Sequence, residues 1–174
     1  MPSTEELSSL YISNNQSNYS YTIANESRSY VVMPIQFGDD LEYSISFDYK
    51  VGGEEDYDYL SVRLCDGNVE ISENAGIPDG IDILNHATMS DWTNVSYTST
   101  ELSGAYKLLV FYWRNDDGWG NGVPAAIDNI RIEGANCPVP EAFALTSKTA
   151  EEATFTWTAP EEMTSWTLYY KEVS

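Results

Sequence analysis

The sequence predicts an all-β fold, an antiparallel sandwich, and three observations carry that prediction. Apolar side chains recur at every second residue in short runs, the spacing at which successive side chains point to opposite faces of a sheet. Helical spacing is hard to find. Clusters of Gly, Asn, Asp and Pro punctuate the runs, as turns do between short strands.

Taken in order, Leu10-Tyr11-Ile12 reads as a first short strand, residues 19–23 as a second, and Val31-Val32 as part of a third. Tyr43, Ile45, Phe47, Tyr49 and Val51 alternate with Ser44, Ser46, Asp48 and Lys50, which describes one dry face and one wet face. Gly52-Gly53 ends that strand. Leu60, Val62 and Leu64 alternate with Ser61 and Arg63, and residues 92–97 form a further strand. Residues 106–113, Tyr-Lys-Leu-Leu-Val-Phe-Tyr-Trp, are apolar on both faces after Lys107, which places them in the middle of a sheet. Residues 127–132 complete the series, with Trp92 and Trp113 expected in the core. Two irregular stretches, 66–91 and 115–124, interrupt it, and loops of that length in a compact domain are often functional.

The chain has 174 residues, of which 42% are apolar and 13% aromatic, too rich for a disordered segment. Eight Lys and Arg stand against 28 Asp and Glu, a formal net charge of −20. Such a field repels phosphate backbones and anionic lipid, so nucleic acid is not an expected partner. It attracts hard cations instead. No apolar run approaches the roughly 20 residues that span a bilayer, so membrane insertion is not expected. Cys65 and Cys137 lack CxxC spacing, which argues against a zinc site or a disulfide scaffold. A single bridge and two separate thiols both stand. The lone His86 lies in polar Asn85-His86-Ala87-Thr88, with nothing nearby to suggest a triad. Met1-Pro2-Ser3-Thr4-Glu5-Glu6 lacks the basic start and apolar core of a signal peptide.

A boundary is predicted at Gly134-Ala135-Asn136-Cys137-Pro138-Val139-Pro140, where prolines stiffen the chain and remove donors. Beyond it alternation restarts around residues 143–145, 153–157 and 166–170. Three strands cannot bury both faces of a sandwich. The chain is therefore expected to be a segment of something longer, or to be completed by a partner through strand exchange at its open edges.

Several residues stand out as candidates. The acidic run Glu54-Glu55-Asp56-Tyr57-Asp58 follows a Gly-Gly turn; it reads as a solvated loop, or as a cation site whose closely spaced carboxylates gain when Ca²⁺ relieves their repulsion, or as a ligand site in which Asp56 and Tyr57 meet sugar hydroxyls. Trp119 in Gly118-Trp119-Gly120-Asn121-Gly122 has no strand neighbours, so it either stacks on a ligand ring or folds back over the sandwich edge. Arg114 beside Asp116 and Asp117 is a binding fork or a local ion pair. Asp128 interrupts apolar Ala125-Ala126-Ile127, where a carboxylate is costly unless paired, hydrogen-bonded or metal-bound; an outward-facing polar position is the alternative. Asp39 and Asp40 are weaker metal candidates, since Gly38-Asp39-Asp40 also reads as a turn. Glycoside hydrolysis needs two acids about 5–10 Å apart across a cleft, and nothing in the sequence selects such a pair.

A set of ordered motifs adds a resemblance. Ser9-Leu10-Tyr11-Ile12-Ser13-Asn14, Ile45-Ser46-Phe47-Asp48-Tyr49-Lys50, Tyr57-Asp58-Tyr59-Leu60-Ser61-Val62, residues 106–116 and Pro124-Ala125-Ala126-Ile127-Asp128-Asn129-Ile130 follow one another. Together they resemble the MAM-like jelly-roll modules of Bacteroidota surface proteins, related to the cleaved adhesin domains of gingipain-type proteases. The tail resembles the first strands of a fibronectin type III domain, with Trp157 as its core tryptophan. The resemblance implies a jelly-roll domain over 1–135, a linker over 136–141 and a partial fibronectin type III segment over 142–174. It also implies a structural Ca²⁺ between the first and last strands, held by Asp128. The function it implies is a non-catalytic adhesin module of a secreted or cell-surface protein, binding a glycan or a host or matrix protein. A spacer without its own ligand, or an accessory module of a surface protease or glycosidase, is the alternative.

Overall fold

The computed structural model describes residues 9–13, 18–40, 42–72, 75–120, 122–135, 141–149 and 151–159. The chain divides into two compact units, Met1–Ala135 and Asn136–Ser174. No described residue is helical. The first unit carries β1 (Leu10–Tyr11), β2 (Ser27–Gln36), β3 (Glu42–Val51), β4 (Tyr59–Asp66), β5 (Gly80–Ala87), β6 (Met89–Ser99), β7 (Tyr106–Asn115) and β8 (Ala125–Ala135). The second carries β9 (Glu141–Lys148) and β10 (Ala153–Thr158).

The expected antiparallel sandwich is what forms. One sheet has the order β1-β8-β3-β6 and the other β2-β7-β4-β5. First strand pairs with last, second with seventh, third with sixth and fourth with fifth, all antiparallel. That nesting is a long ribbon doubled over. Every link except β4 to β5 carries the chain from one sheet to the other.

Alternation sets the core as the sequence predicts. Tyr43, Ile45, Phe47, Tyr49 and Val51 are buried while Ser44, Ser46, Asp48 and Lys50 between them are half-buried. From the facing sheet come Leu60, Val62 and Leu64 of β4 and Leu109, Phe111 and Trp113 of β7. Phe47 and Phe111 meet edge to face across the layers, with centroids 5.2 Å apart. Each such buried side chain contributes about 1.5–3 kcal/mol over its exposed state. β7 lies between β2 and β4, the central place its two-sided apolar pattern predicts. Its outer face is covered too: Leu108 and Val110 join Cys65 in a second cluster, roofed by Val69, Ile71 and Ile77. Beneath the two-residue β1 a cleft of about 60 Å³ remains, lined by Leu10, Ile12, Val31, Phe111, Trp113 and Ile127.

Three expectations are corrected. Residues 66–91 are not irregular throughout, since they hold β5 and the start of β6. β5 is an edge strand, so its polar Asp82, Asn85 and His86 broke the apolar alternation that marks inner strands. Residues 19–23 are not a strand. They carry the chain from β1 to β2 in the other sheet, and their bonds are isolated ones, such as Tyr21 N–H to Gly122 O at 3.2 Å. Trp92 is not in the core; it is 44% exposed. Val95 and Tyr97 pack against the core, and that phase turns Trp92, an odd number of residues away, outward.

In the second unit β9 and β10 form an antiparallel pair. Phe143 stacks on Phe155 at 5.3 Å and on Trp157 at 6.4 Å. The predicted strand at 166–170 and residues 136–140 of the predicted linker over 136–141, Cys137 among them, lie outside the described residues, while Glu141 already belongs to β9.

Candidate functional site

At one end of the first unit, three segments meet: residues 19–26, the acidic turn 53–58 and the loop residues 116–120. Asn115 closes β7 with its side chain fully buried. Its Oδ1 accepts from Ser27 Oγ and from Trp113 Nε1, the latter at 3.2 Å. Its Nδ2 donates to Asn25 O at 2.6 Å and Asp116 O at 3.0 Å. One amide thus clamps two loops to the sheet end. Asp58 does the same from the acidic turn. It is 1% exposed, accepts the Tyr21 hydroxyl at Oδ2 and takes Asp116 N–H at Oδ1, 3.0 Å away. The expectation of a solvated acidic run therefore fails at Asp58, because a buried carboxylate with two donors is satisfied without water. Burial, then the hydrogen bond to Asp58, pushes the Tyr21 hydroxyl well above the ordinary tyrosine value.

Gly120 makes this packing feasible. A Cβ there would stand 2.6 Å from Tyr21 Oη and 2.7 Å from Asp58 Oδ2, at a φ of +158°. The neighbouring Trp119 is 86% exposed. It does not fold back over the sandwich edge; its loop is held below while the ring stands in solvent. Asp116 turns Oδ1 onto Gly118 N–H at 2.7 Å, shaping the same loop.

Beside this end, the outer face of the second sheet carries a row of rings. Tyr30 and Tyr112 lie 5.0 Å apart, Tyr112 and Tyr59 6.3 Å, and Tyr59 and His86 3.9 Å in a stack. Asp56 Oδ1 approaches His86 Nδ1 at 3.4 Å. Tyr59 opposes Arg114 across β4 and β7, and Tyr112 lies two positions along β7 from Arg114, the partner of Arg28. Burial would lower the Arg114 pKa, but the neighbouring Tyr59 hydroxyl and the charge of Glu26 outweigh it and hold the guanidinium above its ordinary value. Burial, reinforced by Tyr59 and Tyr30, raises the Tyr112 hydroxyl, and Arg28 opposes the rise. The acid within reach of Arg114 is Glu26, at 3.8 Å, in place of the neighbouring aspartates expected from the sequence. Asp56 and His86 both have positive φ, 66° and 44°. Strained backbone of that kind concentrates at functional positions.

Of the residues singled out from sequence, Asp56 and Arg114 thus join one cluster through Tyr59 and His86. Asp116 and Trp119 belong to the loop that continues from Arg114, and Tyr57 is 52% exposed on the acidic turn. Tyr30, Tyr59, Tyr112, His86, Arg28 and Glu26 were missed. No local signal marks them, since the register that opposes Arg28 to Arg114 and Tyr30 to Tyr112 joins segments far apart in the chain.

The metal candidates lie elsewhere. Asp128 is on the first sheet, directly opposed to Asp48. Its Oδ2 accepts from Ser9 Oγ at 2.9 Å and its Oδ1 from Asn129 N–H at 2.7 Å. Asn129 and Asn94 donate to Asp48 at 2.7 and 2.8 Å. Those amides, aided by Arg131 against some burial, hold the Asp48 carboxyl below its ordinary value. Asp40 sits beside Gly134, six positions along β8 from Asp128 and so about 20 Å away. Asp39 and Asp40 therefore do not share a centre with Asp128. Among the described residues no three His, Cys, Asp or Glu side chains gather as a ligand group. On the same sheet Lys50 lies 5.1 Å from the Tyr19 ring and 5.0 Å from Trp92, a cation between two π faces.

The chain matches no family model and no curated protein.

Proposed function

We propose that the first unit is a non-catalytic recognition module of a secreted or cell-surface protein, with a glycan or a host or matrix protein as ligand. Trp119 carries this reading. An indole 86% exposed on a loop clamped through Asn115 and Asp58 is a rigid apolar face offered to solvent, which suits stacking on a sugar ring. Tyr57 and Asp56 on the adjoining turn supply a second ring and an acceptor for hydroxyl protons. Within this proposal the first unit is a jelly roll, supported by its nested strand pairs. The second is the start of a fibronectin type III domain, supported by Trp157 on its second strand.

Glycan-array and solid-phase binding test it. Trp119→Ala is expected to weaken binding roughly tenfold, the worth of one aromatic stack, and neutralising Glu54, Glu55 and Asp56 to weaken it further. Unchanged binding in both variants removes the site and leaves a spacer.

A structural Ca²⁺ at Asp128 belongs to the same proposal. Its support is the facing of Asp48 and Asp128 across two strands, where like charges repel. These two carboxylates fall short of the roughly six to eight oxygens Ca²⁺ takes; Ser9 Oγ and backbone carbonyls would supply others. Ca²⁺ at a hundredfold excess over its Kd should then add about 2.7 kcal/mol of stability, seen as a higher melting midpoint that Asp128→Asn abolishes. Equal midpoints with Ca²⁺ and with chelator remove the ion.

A further inference from the structure

Arg28 and Arg114 occupy directly opposed positions on β2 and β7, an arrangement that like charges disfavour unless a counter-charge intervenes. Glu26 is that counter-charge, with Oε1 at 2.5 Å from Arg28 Nη2 and 3.8 Å from Arg114 Nε. Two positive charges therefore face one negative, within a chain of formal net charge −20. Among the described residues Glu26 is the acid paired with both guanidiniums; Asp58 is turned to Tyr21 and Asp116 N–H, Asp56 to His86 and Asp116 to Gly118 N–H.

Both arginines also stand beside buried rings. Tyr59 opposes Arg114 in the register of β4 and β7, Tyr112 lies two positions from Arg114 on β7, and those rings are 8% and 2% exposed. The arginine side chains themselves remain 30% and 28% exposed. Each guanidinium has five N–H donors in one plane, more than Glu26 consumes. A planar fork of this kind is suited to a carboxylate, which it binds through two parallel hydrogen bonds.

We propose that Arg28 and Arg114 form a receptor for the carboxylate of an acidic sugar, with Glu26 the internal competitor that the ligand displaces; this rests on the saccharide reading of the Trp119 site. The overall field sets a further condition. A polyanion would be repelled by the rest of the surface, whereas a saccharide with one carboxylate among neutral sugars needs only the two guanidiniums that share Glu26. Its hydroxyls can donate to the exposed carboxylates of Asp56 and Asp117.

The probe is a trisaccharide bearing one glucuronic acid, compared with its methyl ester by calorimetric titration of the whole chain. The acid should bind roughly tenfold more tightly than the ester, and about 0.5 M salt should narrow that gap. Arg114→Gln should abolish the difference. Glu26→Gln, at a largely exposed side chain, should strengthen binding of the acid several-fold and leave the ester unchanged. Equal affinity for acid and ester overturns the inference and leaves the saccharide reading standing. Weaker binding of the acid by Glu26→Gln also overturns it. Failure of both forms to bind overturns the two readings together.

Discussion

Tyr21 and Asp58 show how a single pair can hold a loop end. The phenol donates to a carboxylate that is 1% exposed, so ionising the phenol would place two negative charges side by side in a region nearly free of water. The folded state therefore keeps the Tyr21 proton when the unfolded chain, titrating near the ordinary 10.0, has lost it. Its contribution is complete below pH 10 and declines as pH rises beyond it, because there the unfolded state binds fewer protons than the native one. Denaturant titrations across pH 8–11 should show stability falling above about pH 10, and falling less steeply in Tyr21→Phe. Parallel slopes would mean that the phenol is not buried against the carboxylate. None of this was legible in the acidic run itself, which reads as solvated; only the fold brings Tyr21 across 37 positions to Asp58.

β3 and β7 illustrate what alternation encodes at the level of an element. In β3 every odd-numbered residue from Tyr43 to Val51 is buried, so the face is fixed by the sequence alone. Phe47 packs against Phe111 of the opposite layer and is fully buried. Phe47→Ala should cost about 3–5 kcal/mol, the transfer term plus a cavity between rigid sheets, measured by urea denaturation. A loss below about 1 kcal/mol would mean that the layers close up over the gap. Edge strands were harder to recognise for the same reason. β5 and β6 have one neighbour each, and their polar faces dilute the apolar period. Trp92 is expected in the core because it lies within a strand pattern, whereas the phase of β6 puts it outside, over Lys50.

For the whole molecule the dominant number is the formal charge of −20. Self-repulsion of that size destabilises the compact state, and the described ion pairs offset only part of it, since exposed pairs contribute about 0–1 kcal/mol each. Raising the ionic strength from about 0.02 to 0.15 M, where screening acts within about 8 Å, should raise the melting midpoint. A midpoint that falls with salt would show that attractive pairs such as Arg63–Asp82 and Lys107–Asp66 outweigh the repulsion.

The sequence by itself determined the all-β class, the inward face of β3, the central place of β7 and the loop that bears Trp119. These are local properties, set by a period of two and by glycines that deny a side chain its neighbours. Only the tertiary structure decided that Arg28 opposes Arg114, that Glu26 stands between them and that Tyr59 stacks on His86. Strand register is a relation between distant segments, and a shift of one residue would turn every one of those side chains to the other face.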